Sequence, residues 1–561
     1  MQLLEKNQFA SQIFIKINGE KAQPEVVQDL ISVTVDQHSR LPGMFTLRLH
    51  DSDLKHLSEG PFDLTKEIEI SAENAQGEKI VLIQGEITAL EPEFQEGMAA
   101  ELVVRGYDRS HRLFRETKSR AFLNIKDSDL AVQFAEEAGL TAQADPTSTV
   151  YEHLFQDNQS DLAFLMQRAW RIGYECFVSE GKLFFRRPPS GGSALKISWG
   201  EDLLAFQACM SLAEQVNEVV VRGWDVEKQQ PIVGRADQGR LYPQVQEAKE
   251  GAGRATTFGA GKQVFVDLPV ANQAEANALA GARLDELSGT FIEAEGVAFR
   301  CPDLRAGSAV EIAGLGKRFS GVYLVTSATH EYGQEGLKTR FSVHGARTGL
   351  LSEQVRDQAP TVRWAGVVTA TVTNTEDPKN WGRVRVKFAW MTEDAESDWA
   401  RVACPGAGPQ AGFFAMPGVG DEVLAAFEHG DFSRPFVVGG LWNGQSEIPP
   451  EAAEAAAGEK PLVRTWHSRG GHRMVMYDDA KKKIEIVTAD GRSITLDDAD
   501  QTITLKTKDV EVRLQDDQLA VKAKGGVTVK SESNLKLEAN GNIDIRASGN
   551  VNINGAMVNL N

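Results

Sequence analysis

A lysine behind a glycine turn, a pair of histidines, paired carboxylates and a basic strand with aromatics are the groupings in this chain that resemble chemical machinery. GAGK at Gly259–Lys262 and GLGK at Gly314–Lys317 suggest a phosphate-binding loop, but neither has a Gly five residues before the GK pair nor a Ser or Thr after the lysine. Each reads as a turn. His467 and His472 flank Ser-Arg-Gly-Gly and would suit two metal ligands, yet no third ligand cluster lies near them in sequence. Asp497 and Asp498, like Asp516 and Asp517, offer the paired carboxylates of acid/base catalysis, but such neighbours read as solvated corners. Arg383, Arg385 and Lys387 with Phe388 and Trp390 could line a nucleic-acid groove. Their alternation with Val384 and Val386 is equally that of a strand with one solvent face. No Ser, His and Asp arrangement carries a nucleophile elbow. The expectation is a protein without catalytic residues, cofactor or metal, and not an enzyme.

The elements that would have to position such residues point elsewhere. From Leu519 the chain falls into octads, LAVKAKGG, VTVKSESN, LKLEANGN, IDIRASGN and VNINGAMV. Their first and third places hold Leu519 and Val521, Val527 and Val529, Leu535 and Leu537, Ile543 and Ile545, Val551 and Ile553. Their second and fourth places are mostly polar, which is the period of two of a strand with one buried face. The fifth place is small (Ala523, Ser531, Ala539, Ala547, Gly555), and the last two are mostly Gly, Ser or Asn, which suits a corner.

Eight extended residues reach at most about 26–29 Å. A closed coil around an apolar core with walls about 10 Å apart needs a perimeter on the order of 45 Å. One chain cannot close that coil in eight residues, whereas three chains contributing one wall each can. The octads therefore predict a homotrimeric, intertwined β-prism whose core is formed by the ten first- and third-place residues. Looser pairs at Ile484 and Ile486, Ile494 and Leu496, Ile503 and Leu505, Val510 and Val512 extend the series upstream, and Val558 and Leu560 end it. Ten rows at one strand spacing each predict a rod roughly 48 Å long. Lys522, Lys530, Lys536, Glu538, Asp544 and Arg546 would face outward and keep it soluble.

A chain of 561 residues is too long for one core. With 42% hydrophobic and 25% charged residues, disorder is not the default. The formal charge of −19 argues against holding nucleic acid by phosphate neutralisation. The start, MQLLEKNQFA, has neither a basic segment nor a long apolar run, and no stretch approaches a membrane span, so synthesis in the cytoplasm without a signal peptide is expected. Cys176, Cys209, Cys301 and Cys404 lie far apart with no CxxC spacing, which predicts buried or free thiols.

The predicted fold is mainly β with an α+β hub. Residues 1–355 mix strands (Phe14 to Gly19, Met44 to His50, Glu67 to Ala72, Lys79 to Leu90) with helices opened by Ser128, Ser160 and Asn272. Residues 363–445 carry five strand-sized runs between Gly, Pro and Asn, the count of an OB-fold barrel. Residues 446–462 are a Pro-, Ala- and Glu-rich linker or short helix, and 463–561 form the prism.

This order of parts resembles the VgrG-like spike proteins of contractile injection systems: type VI secretion, extracellular phage-tail-like particles and the fused hub and needle of phages. The resemblance rests on VVRGYDRSHRLFRETKSRAF (Val103 to Phe122), QDNQSDLAFLMQRAWRIGYECFV (Gln156 to Val178) and Ala294 to Tyr332 in the hub. In the barrel it rests on DPKNWGRVRVKFAW (Asp377 to Trp390), WARVACPGAG (Trp399 to Gly408) and Pro417 to Asn443. TWHSRGGHRMVMYDD (Thr465 to Asp479) resembles the family's entry into the needle.

The resemblance implies a structural spike that caps the inner tube and punctures a target envelope when a sheath contracts. Its implied partners are two further copies of itself, the inner tube or tube initiator, baseplate proteins, effector cargo, a PAAR-repeat tip protein at Val558, Leu560 and Asn561, and, transiently, the target envelope. Assembly into the baseplate of a released or cell-bound particle follows from the same resemblance. No lysozyme-like insertion separates barrel and prism, and the end at Asn561 leads to the expectation that any toxic activity arrives on another protein. The competing readings are a phage-like trimeric receptor-binding fibre, disfavoured by final rows without Trp or Tyr, and a polysaccharide-degrading β-solenoid, whose longer coils the eight-residue period excludes.

Overall fold

Period-two alternation in the first part of the chain produces one very large sheet. In Leu41–His50, Gly43, Phe45, Leu47 and Leu49 are buried while Met44, Thr46 and Arg48 are half-buried between them. The computed structural model describes residues 12–96, 99–189, 195–225, 227–239, 243–245, 251–259, 261–266, 268–344, 366–456 and 462–560. It divides into two units, Met1–Leu441 and Trp442–Asn561. The expected barrel start at Arg363, the linker residues 457–461 and Asn561 lie outside the described residues.

The sheet of the first unit has eleven antiparallel strands, and it joins segments far apart in sequence. Leu30–His38 pairs with Leu41–His50 on one side and with Ser327–Gly333 on the other, where Thr329 Oγ1 donates to Asp36 Oδ1 at 2.7 Å. At Gly106 a Cβ would lie 2.0 Å from the Glu86 carbonyl and 2.4 Å from the Phe45 ring, so only glycine lets these strands meet.

Residues 118–186 fold against this sheet as a small α+β layer. The helix Asp161–Ile172 is capped by Ser160, whose Oγ accepts from Ala163 N, and ends at Gly173 with φ +69°. Leu162, Leu165 and Ala169 are buried along one stripe. The helix expected to open at Ser128 instead runs Asp127–Glu137. Asp127 is held in the first turn by Arg168, whose Nε and Nη2 donate at 2.6 and 3.3 Å, and Ser128 is paired with Thr147. Asn272 caps Gln273–Gly289 through Glu275 N at 2.9 Å, and the Glu275 carboxylate receives Arg171 at 2.8 Å.

Val368–Asn374, Arg383–Phe388, Ala400–Val402, Pro435–Gly440 and Glu422–Phe427 close into a five-stranded barrel. Val372, Val384, Val386, Phe388, Val423 and Val437 fill it. Phe155, from the hub strand Val150–Gln159, completes that core.

In the second unit a short helix, Pro450–Ala456, precedes seven strands from Val463 to Ala523, each paired antiparallel with the next. This corrects the expectation of one wall per layer throughout the rod. The rows Ile484 to Val512, together with Leu519 and Val521, belong to a meander within the single chain. Five of its six hairpin connections hold a residue with positive φ, at Gly471, Lys482, Gly491, Gln501 and Asp516, which keeps them tight. Gly525 to Leu560 form no strand ladder within the chain.

Candidate functional site: an uncovered apolar face

The groupings that suggested chemistry are used structurally. Gly259, with φ +109°, ends a short 3-10 turn, and Lys262 pairs with Glu218 at 3.0 Å; Ala260 between them lies outside the described residues. Gly316–Phe319 is a single helical turn. His467 Nε2 lies 3.0 Å from Glu451 Oε2 of the short helix, whose other oxygen lies 2.9 Å from Arg473. His472 Nδ1 accepts from Ala489 N at 3.1 Å. The two histidines thus serve different local contacts, and among the described residues no group of three His, Cys, Asp or Glu is placed to hold a metal. Asp497 caps a hairpin corner by accepting from Ala499 N and Asp500 N, and Asp516 and Asp517 are exposed at another corner.

Both arginines of the basic strand of the barrel are paired with carboxylates. Arg383 forks onto Asp377, with Nη2 to Oδ1 at 2.6 Å, and this hydrogen-bonded pairing holds the Asp377 carboxyl well below the usual carboxylate range. Arg385 pairs with Glu396, and Lys387 donates to the Glu393 carbonyl. Phe388 is buried in the barrel core, and Trp390 Nε1 donates to Asp157 of the hub at 3.2 Å. No open cationic groove remains along these residues.

The meander instead presents apolar side chains to solvent. Its register aligns two cross-strand columns: Trp466, Met474, Ile486, Ile494, Leu505, Val512 and Val521, and beside them Met476, Ile484, Leu496, Ile503, Leu514 and Leu519. Most of these side chains are exposed, Leu519 at 67%, whereas the opposite face holds the buried Val475 and Thr502. A sheet that leaves two apolar columns to solvent requires a partner surface.

The series continues past the last strand. Val527, Val529, Leu535, Leu537, Ile543, Ile545, Val551 and Ile553 are all more than half exposed, and Leu560 reaches 86%. Val558 is exposed beside it, while Asn561 lies outside the described residues. The sequence identified these residues by their period. It missed the hub residues that enter the barrel, although the alternation of His153, Phe155 and Asp157 carried that signal.

A split α+β hub, a five-stranded barrel and a C-terminal β unit with a bare apolar face define a VgrG-like spike. The Alg8 N-terminal domain model matches residues 9–334, more than half of the chain, and the chain belongs to that family. The type VI secretion system/phage-baseplate injector OB domain matches residues 368–442. The type VI secretion system spike protein VgrG5 of Pseudomonas aeruginosa is 32% identical over 135 residues, covering 23% of this chain and 17% of that protein. VgrG1a of the same species is 28% identical over 158 residues, covering 27% and 24%. The actin cross-linking toxin VgrG1 of Vibrio cholerae is 29% identical over 168 residues, covering 28% and 15%. The matched stretches thus span a quarter or less of these relatives' own lengths. Among solved structures, the half-lidded PdpA–VgrG complex of Francisella is similar in fold, with TM-score 0.51 at 10% identity over 93% of this chain and 90% of that one.

Proposed function

We propose that three copies of this chain close around the apolar columns to form the rigid shaft of a contractile injection machine. In this reading the hub caps the inner tube, the shaft punctures the target envelope on sheath contraction, and the protein carries a tip protein, effectors or both. It performs no catalysis of its own. The chain would be made in the cytoplasm and then built into a baseplate.

One observation carries the reading. Between Val527 and Leu560 the backbone has no ladder within the chain, and the same segment exposes its apolar side chains at every first and third octad place. Apart from local bonds at Ser531, Ser533 and Asn534, the segment is without ladder partners and its apolar side chains are uncovered, and two further copies would supply both at once. A dry core and ladder hydrogen bonds across three chains would give the stiffness a puncturing device needs. Val558 and Leu560, both exposed, would meet the tip protein.

Light scattering on the full chain at micromolar concentration tests this directly. The expected mass is three times the 61.3 kDa of one chain, and a monomeric mass would overturn the shaft.

A further inference from the structure

The strand Val150–Gln159 is buried on both faces over His153 to Gln156. Leu154 packs in the hub, and Gln156 bonds to Asp161 there. The alternate residues His153, Phe155 and Asp157 all engage the barrel. His153 Nε2 lies 3.0 Å from the Glu396 carbonyl oxygen, Phe155 sits in the barrel core, and Asp157 accepts from Trp390 Nε1.

A carbonyl only accepts, so the hydrogen of neutral His153 is on Nε2 and Nδ1 is a bare acceptor. That Nδ1 is buried with no hydrogen-bond partner among the described residues, and the ring, 9% exposed, stacks on Phe155. Protonation would place an unmet N–H and a charge inside the seam. The charged groups around the ring are Asp398 and Glu396, which favour the imidazolium, and Arg385, which opposes it. Glu396 is itself engaged by Arg385 and by Thr373 Oγ1 at 2.9 Å. Burial outweighs these carboxylates and holds the imidazole below its ordinary pKa.

We propose that the seam between hub and barrel is an acid-released joint in which neutral His153 is the latch. The joined state binds the proton less readily than the parted state, so joining is fully favoured above the ordinary histidine pKa of about 6.5 and weakens as pH falls below it. The loss is at most about tenfold in the joining equilibrium per pH unit. Asp157, pushed up by burial, acts in the opposite sense. Beside the seam a cleft of about 490 Å³, walled by Trp224 of the hub and Trp381 and Trp399 of the barrel, gives the two parts room to separate. The exposed pair Lys379–Glu227, at 3.0 Å, tethers them across it.

Hydrogen exchange of the full chain at pH 7.5 and 5.5, corrected for intrinsic rates, reads the joint locally. Peptides from 150–159 and 383–399 should lose up to about tenfold in protection at pH 5.5, while 41–50 in the hub sheet should not. His153→Gln keeps a donor at the Nε2 position without a titrating group and should abolish the difference. Equal protection of the wild type at both pH values, or the same acid loss in H153Q, overturns the proposal. Should H153Q fail to fold, exchange of the imidazole C2 hydrogen in the wild type decides: a His153 pKa below 6.5 is expected, and one at or above it rejects the latch.

Discussion

Phe155 of the hub and Phe432 of the barrel lie with ring centroids 5.2 Å apart and planes inclined by 31°. One aromatic residue of a hub strand thus belongs to the core of the neighbouring barrel. Phe155→Ala should lower stability by about 3–5 kcal/mol, as for other buried aromatic truncations, while Phe155→Leu should retain most of it. Urea midpoints measure this. A loss under about 1 kcal/mol for the alanine variant would show that the ring is not part of that core.

Ile545 is exposed in the single chain although it stands at a third octad place. If three copies meet there, Ile545→Asp sets three carboxylates against one another in an apolar core, and the variant should run as a monomer in light scattering. Lys536→Asp, on the outward side, should leave the trimer intact. A heat-resistant trimer of I545D would refute the inward assignment.

His330 is fully buried in the large sheet, and its imidazole is pushed down to about 3, chiefly by burial. Thr339 Oγ1 donates its hydrogen to the Cys301 carbonyl, so His330 Nδ1 must be the donor to that hydroxyl at 2.9 Å. A histidine with a lowered folded pKa adds no penalty above pH 6.5 and destabilises progressively as pH falls from there towards 3. At pH 5 this contributes about 2 kcal/mol of lost stability. His330→Leu should be weaker at pH 7 yet lose about 2 kcal/mol less on going to pH 5, measured by denaturant unfolding. An identical pH dependence of variant and wild type would remove His330 as a source of acid lability.

Asp377 organises the loop before Arg383. Besides the forked arginine it accepts from the backbone of Lys379 at 3.0 Å and of Trp381 at 2.8 Å. Its carboxyl is held low by the Arg383 hydrogen bonds, so its contribution is present above the ordinary carboxylate pKa and disappears as pH falls through the depressed value. Asp377→Ala leaves the half-buried Arg383 without its carboxylate and removes the acceptor for two backbone N–H groups, and should cost about 1–3 kcal/mol in the barrel. Thermal unfolding at neutral pH checks this, and an unchanged midpoint would contradict it.

The hub shows where reading along the chain stops. Met44 to His50 was legible because alternation is local and marks the buried face. The adjacency of Leu30–His38 to Ser327–Gly333 was not, because nothing in either segment names a partner about three hundred residues away. The rows from Ile484 to Val521 make the same point within the C-terminal unit. Their first-and-third pattern placed them on one face, as the structure shows, but it could not separate a three-chain coil from a within-chain meander. Both need apolar alternation and a tight corner.

The sequence by itself determined the order of hub, barrel and β unit, the strand faces, the helix caps at Ser160 and Asn272, and the apolar places of the octads. These follow from periodicity and local hydrogen bonding, which act over a few residues. Only the tertiary structure decided that one hub strand locks into the barrel through alternate residues, that Arg383 and Arg385 are paired with Asp377 and Glu396, and that the meander bares Ile484, Leu496 and Leu519. Those outcomes depend on which distant surfaces meet, and burial, ion pairing and desolvation are fixed only when they do.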